Sequence, residues 1–249
     1  MLLILAHAHD LSARGLAARW GSEALLITVG DLHRTRWRLD VGRDGRVGAE
    51  LATAAGTPVP VTGVVNRLGV ITGADLPRVR PQDRQYAGAE LTAFLLAWLD
   101  ACPAPVLNPP NPRSLNGPAW YPEQWADAAA SVGLRVDAVH RRLGLTVAPL
   151  AAVPAWDEAI RAHVVGDVWV GAVHPALGRR LCALGRLAGT PLLTATVSGP
   201  GPRASVRDIS AWPDVADPEV ADAVAAALRP AGSAVSTVST VAGVVAVAG

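Results

Sequence analysis

The first residues able to do chemistry come early: His7-Ala8-His9-Asp10 follows directly on the apolar run Met1 to Ala6. An H-x-H after a buried opening strand is how many metal-dependent hydrolases of the barrel type begin, because alternation aims both imidazoles the same way. Such enzymes need further His and acidic ligands at later strand ends, and His33, His140, His163 and His174 follow no strand-end pattern. The other reading of the segment is a pair of solvated loop histidines with Asp10 capping a helix.

The cationic chemistry is narrow. All 22 basic residues are arginine and the chain has no lysine, which removes a Schiff base, a P-loop lysine and any ammonium held against a nucleotide phosphate. Cys102 and Cys182 stand far apart and form no C-x-x-C pair, so both are expected as reduced, buried small hydrophobes. No G-x-G-x-x-G lies between the first strand and helix, and no G-x-S-x-G elbow occurs. A net charge of +1 with scattered arginines gives no reason to expect nucleic acid. The opening apolar run lacks a basic flank, so a signal peptide is not expected. The tail from Gly232 to Gly249 is too short and too interrupted to span a bilayer, which leaves a cytoplasmic location as the expectation.

The elements that must position these residues follow from periodicity. Met1 to Ala6, a short helix from Asp10 to Trp20 stopped at Gly21, and Ala24 to Val29 read as a β-α-β opening. Arg36 to Val41 and Val47 to Leu51 flank Gly-Arg-Asp-Gly as a hairpin, and Val61 to Asn66 returns as a buried strand. Between Asp83 and Ala101, Ala87, Leu91, Phe94, Leu95, Trp98 and Leu99 fall at helical spacing, which places Trp98 in a core. A short strand, Val106 to Asn108, enters the stiff Asn108-Pro-Pro-Asn-Pro112, where we place a domain boundary.

Beyond it, a helix starts at Pro122, buries Trp125 and stops at Gly133. Strands are expected over Arg135 to His140, Leu143 to Ala148, Leu192 to Val197 and Ser205 to Ser210. A hairpin is expected from Arg161 to Val165 and Val168 to Val173, with helices at Leu177 to Leu187 and Asp217 to Leu228. The fold class expected is α/β: an N-terminal open sheet (1–112), an α+β domain (113–231), and a tail (232–249) that is either loose or an added strand.

The order of these pieces resembles the ATP-grasp superfamily, particularly the glutathione-synthetase-like ligases that join a carboxylate to an amine. The matching stretches are Val64-Val65-Asn66-Arg67, the helix from Asp83 through Glu90, Val106-Leu107-Asn108-Pro109, Gln124 to Gly133-Leu134, the hairpin of Arg161 to Asp167, and Val206-Arg-Asp208-Ile-Ser210. The resemblance implies a pre-ATP-grasp domain followed by an ATP-grasp domain, with Arg67, Glu90, Asn108, Arg161 and Asp208 as ligand-binding candidates. Arg67 is alternatively a strand-end arginine paired with Glu90, and Asp208 a hairpin residue paired with Arg207 or Arg203.

The departures from the family pattern are equally specific. Between Gly133-Leu134 and Arg161 the family inserts an ATP-clamping lid of roughly sixty to eighty residues, and here only residues 135 to 160 fill the gap. Where the family holds magnesium with an acid on one late strand, and an acid plus an Asn two positions on in the next, this chain offers Thr194-Ala195-Thr196-Val197, then Asp208 and Ser210. A lone Asp with hydroxyls is a poor cage for a cation that dehydrates reluctantly.

The resemblance therefore implies a degenerate, lidless member that does not bind Mg·ATP or ligate, and that binds a peptide, metabolite or partner protein as an accessory to peptide or natural-product biosynthesis. Two other readings stand beside it. One is an enzyme with a rebuilt cleft, acting with ATP as a carboxylate–amine ligase or without it on an anionic substrate through Arg67, Arg161 and Asp208. The other is the His7/His9 metal hydrolase. Surface once covered by a lid also suggests a homodimer.

Overall fold

A computed structural model describes residues 1–137, 159–229 and 245–246. These divide into two compact units, the first made of Met1–Ala119 and the segment from Asp214 through the last helix, the second centred on Trp120–Pro213. The sequence assigns that last helix to the second domain. It belongs instead to the first unit, because its contacts are made with the N-terminal helix and sheet.

In the first unit, strands β1 (Leu2–Ala6), β2 (Ala24–Thr28), β5 (Gly63–Asn66) and β6 (Val106–Leu107) form a parallel sheet in the order β2-β1-β5-β6. β1 is central and its side chains are buried on both faces of the sheet, which explains why LLILA is apolar throughout. Helix α1 (Leu11–Trp20) connects β1 to β2, and α2 (Arg84–Ala101) connects β5 to β6.

Leu3, Leu5 and Val64 point to one core, where Leu95, Trp98 and Leu99 of α2 meet them. Ile4, Ala6 and Val65, buried on the alternate positions, point the other way. Ala13 and Leu16 of α1 are fully buried, as are Val220 and Val224 of α5 (Pro218–Ala227). Three contacts tie α5 and the residues flanking it to α1 and the sheet. Arg19 pairs with Asp222 at 2.8 Å, Ser12 donates to Asp214 at 2.7 Å, and Leu228 packs beside Gly63.

The hairpin of β3 (Thr35–Val41) and β4 (Val47–Thr53) does not extend the parallel sheet and pairs only with itself. It lies against α2, where Trp98 donates to the Glu50 carbonyl at 3.1 Å and meets Trp37 edge-on at 4.8 Å between ring centroids.

In the second unit, helix α3 (Pro122–Ser131) starts on Pro122 and stops ahead of Gly133, whose φ of +77° only glycine adopts freely. Strands β7 (Arg135–Val136), β8 (Ile160–Val165), β9 (Val168–Val170), β10 (Leu192–Val197), β11 (Ser205–Ser210) and β12 (Val245–Ala246) form a sheet ordered β12-β9-β8-β10-β11-β7. The expected strand over Leu143 to Ala148 and most of the stretch that stands where the family has its lid lie outside the described residues, as does most of the tail; β9 ends at Val170 rather than Val173.

Helix α4 (Pro175–Leu187) buries Leu177, Leu181 and Leu184 against Ala162, Val164, Leu193, Ala195 and Val197. Trp125, Ala128 and Ala129 of α3 join the same core. One face of the sheet is thus covered by helices. The side chains at the alternate positions belong to the other face.

Gly178 marks the tightest approach in this core, since a Cβ there would meet the Trp169 ring at 2.3 Å. Gly178→Ala should therefore cost about 1–3 kcal/mol of stability by overpacking. Gly48→Ala, at a position with nothing within 4 Å, should not destabilise. Urea midpoints for the two variants check the contrast.

Candidate functional site

Two sets of polar side chains occupy positions the fold reserves for chemistry, one in each unit. In the first unit the chain leaves β1 in one direction to build β2, while β5 lies on the other side of β1. The carboxyl ends of β1 and β5 thus form the switch point at which open parallel sheets receive ligands. Asp10 and Arg67 sit there.

The Arg67 fork closes on the Asp10 carboxylate, with Nε donating at 2.7 Å and Nη2 at 3.3 Å, and both side chains are almost fully buried at 5% and 13% exposure. Asp10 also accepts from the Ala13 N–H at 2.9 Å, the N-cap bond of α1. Arg67 is thereby committed to Asp10. Its expected partner Glu90 is exposed on α2 instead.

Asn108 is equally interior. Its backbone carbonyl accepts from Asn66 Nδ2 at 3.0 Å, and its own amide donates to Asn116 at 2.9 Å, while Asn66 also donates to the Leu115 carbonyl. This amide chain fixes the turn after β6 against the end of β5. Asn66 and Asn116 were not singled out by sequence, because nothing local marks an asparagine that bonds a carbonyl 42 residues away.

His7 Nδ1 lies 3.1 Å from Asp75, and the His7 and His9 rings stack at 6.2 Å between centroids. Burial pushes the Asp75 carboxyl up, but the Thr72 N–H, the Thr72 hydroxyl and His7 outweigh it and hold the group below the ordinary carboxylate value. Asp75 escaped the sequence reading although Thr72-x-x-Asp75 is a capping box visible in the chain. Among the described residues no group of three or more His, Cys, Asp or Glu side chains converges as a metal site, so His7, His9 and Asp10 have no complementary ligands there.

In the second unit the register places Arg161 opposite Thr196 and Thr196 opposite Asp208, a single row across β8, β10 and β11. Directly opposed residues share a face, so the row lies on the side away from the helices. His163, Thr194 and Ser210 form the adjacent row by the same register. Asp208 reaches this face because of a bulge between Thr196 and Val197. Val206 is in the core and simple alternation would send Asp208 after it; the extra residue, Arg207, reverses the phase. Arg207 pairs with Asp137 at 3.3 Å rather than with Asp208.

Arg161 and Asp208 are exposed, and Thr194 carries a buried hydroxyl oxygen with no hydrogen-bond partner among the described residues. Cys182 faces the opposite, apolar side, where burial pushes its thiol up to about 11; Cys102 is raised for the same reason, and both are free.

Several solved structures share this architecture over most of the chain. A RiPP-associated ATP-grasp ligase of Chryseobacterium gregarium, solved with ADP and a leader and core peptide, is 11% identical with a TM-score of 0.59, covering 91% of this chain and 96% of that one. The macrocyclase MdnC of Microcystis aeruginosa, bound to precursor peptide MdnA, is 13% identical with a TM-score of 0.59, covering 92% and 99%. The chain has the ATP-grasp fold. A third structure with it, the ligase PsnB in complex with a precursor peptide and AMPPNP, is 14% identical with a TM-score of 0.55, covering 91% and 98%. No protein-family model and no curated protein matches the sequence.

The ATP-grasp fold implies a magnesium nucleotide, and the donors on the polar face of the second sheet can be tested for it. Asp208 is the one carboxylate in the two rows; Thr194, Thr196 and Ser210 contribute neutral hydroxyls. Arg161 stands two strands from Asp208, about 10 Å at ordinary strand spacing, and repels a cation placed between them. This donor set does not fit a magnesium ion held by several carboxylates.

Two outcomes follow for the first unit. Arg67→Ala leaves Asp10 buried without its cation and should cost about 3–5 kcal/mol in urea unfolding. Asp75, with its pKa depressed on folding, adds stability that is present above its unfolded value and lost as pH falls through the folded one. Asp75→Asn should therefore shrink the loss of stability between neutral pH and about pH 3, read as urea midpoints across that range.

Proposed function

We propose that this chain is an ATP-grasp-fold protein that binds a peptide and performs no ATP-dependent ligation, serving as an accessory in peptide modification. The observation that carries the reading is the row Arg161–Thr196–Asp208: a face bearing one carboxylate, hydroxyls and a cation, in a chain without a single lysine. Acyl-phosphate chemistry runs on charge neutralisation by magnesium and cationic side chains, and among the described residues this face supplies no metal cage, nor does the chain have an ammonium side chain. The peptide half of the proposal draws on similarity, since the Chryseobacterium ligase, MdnC and PsnB are each solved with a peptide.

The alternative of a rebuilt catalytic cleft draws on Arg161 and Asp208 alone, because Arg67 is buried in its pair with Asp10. A substrate for it must be anionic enough to seek Arg161.

Calorimetric titration with Mg·ATP and an assay for released ADP test the first half of the proposal. We expect no binding at millimolar nucleotide and no ADP with peptide or amino-acid acceptors; micromolar binding with ADP release would overturn it. The paired substitution Thr196→Asp/Ser210→Asn should create measurable Mn²⁺ binding by electron paramagnetic resonance where the parent shows none. Selection from a displayed random-peptide library tests the second half. Enrichment of a shared motif supports it, and a flat selection removes it.

A further inference from the structure

We infer that the first unit holds a binding site for a small amphiphilic carboxylate, one with an aliphatic or aromatic body, in a cavity lined by residues of that unit alone. The cavity has a volume of about 720 Å³, within the range of pockets that hold drug-sized ligands. It lies where the chain leaves β2 and where the loop after β5 approaches α2. Its floor is apolar: Leu32, Trp37, Leu91 and Phe94 line it, with Leu76 and Leu95 behind. Such a surface takes up a hydrocarbon or ring by simple removal from water.

The rim decides the head group. It carries two acids and two arginines, which are not equivalent. Asp31 accepts from the Thr28 hydroxyl at 2.6 Å and pairs with Arg34 at 3.1 Å, so acid and cation cancel. Asp75 is satisfied by Thr72 and His7. Arg78 differs: its Nη1 donates to His33 Nε2 at 2.9 Å, and among the described residues it has no carboxylate partner. A guanidinium steadied by an imidazole nitrogen at the lip of an apolar cavity presents its remaining N–H groups for a bidentate anion. The four rim charges sum to zero, but both acids are already engaged by neighbouring donors while Arg78 keeps N–H groups for a ligand, so the head group this rim can bind is a carboxylate.

The intact chain can be tested with octanoate, octanol and octylamine as competitors for the anionic dye 8-anilinonaphthalene-1-sulfonate. Wild-type protein should enhance dye fluorescence, octanoate should displace the dye, and octylamine should not. Arg78 is exposed, so Arg78→Ala leaves the fold intact, and it should weaken octanoate by about tenfold while leaving octanol unchanged. Leu91→Trp, which fills the cavity, should abolish both, with thermal melting and circular dichroism confirming that each variant folds. Equal displacement by octanoate and octylamine, octanoate affinity unmoved by Arg78→Ala, or dye binding untouched by Leu91→Trp would each overturn the site. None of these readouts depends on nucleotide or peptide binding, so the site and the proposed function stand or fall separately.

Discussion

The Asp10 carboxylate does two things at once, and the first unit is organised around that coincidence. One oxygen caps α1 through the Ala13 N–H, and the pair of oxygens receives the Arg67 fork from the end of β5. The start of a helix and the end of a neighbouring strand are thereby held to one point. A buried ion pair of this kind contributes little net stability against a well-packed apolar substitute, but it is costly to break from one side. Its geometric effect is that the carboxyl ends of β1 and β5, the place an open parallel sheet offers to a ligand, are closed by the protein's own charges.

The second unit is arranged the other way round. Its polar row carries the exposed Arg161 and Asp208, and Asp208 reaches that face through one irregularity, the bulge that takes up Arg207. With the bulge removed, Asp208 would follow Val206 into the helix-covered core and the row would contain no acid. The chemistry available is thus set by one extra residue in a strand pair.

Much of the fold was legible in the chain. The periodicity of α2, the glycine stops after α1 and α3, the Gly-Arg-Asp-Gly hairpin and the burial of Trp98 and Trp125 are local signals, and local signals survive in sequence. The order of elements carried the ATP-grasp resemblance for the same reason. What escaped was long-range. Arg67 could be guessed to have an acidic partner, but a choice between Asp10 and Glu90 depends on how β1 and β5 pair. The assignment of α5 to the first unit depends on contacts more than two hundred positions apart, such as Arg19 with Asp222. The side of the sheet on which Asp208 falls depends on a bulge no alternation rule contains. Thr72-x-x-Asp75 is the exception, a local signature that was there to be read.

The return of α5 to the first unit has a consequence for how the molecule is made. A chain emerging from the ribosome delivers β1, α1, β5 and α2 early, so the core on the α2 side can close while synthesis continues. The opposite side waits for residues 214 to 228, which arrive only after residues 120 to 213 of the second unit have been translated. The partners that Ser12, Arg19 and Gly63 find in residues 214 to 228 are therefore missing for most of synthesis, and the first unit becomes complete only when nearly the whole described chain has been released. Residues 120 to 213 of the second unit are thus, in chain terms, an insertion between the two pieces of the first.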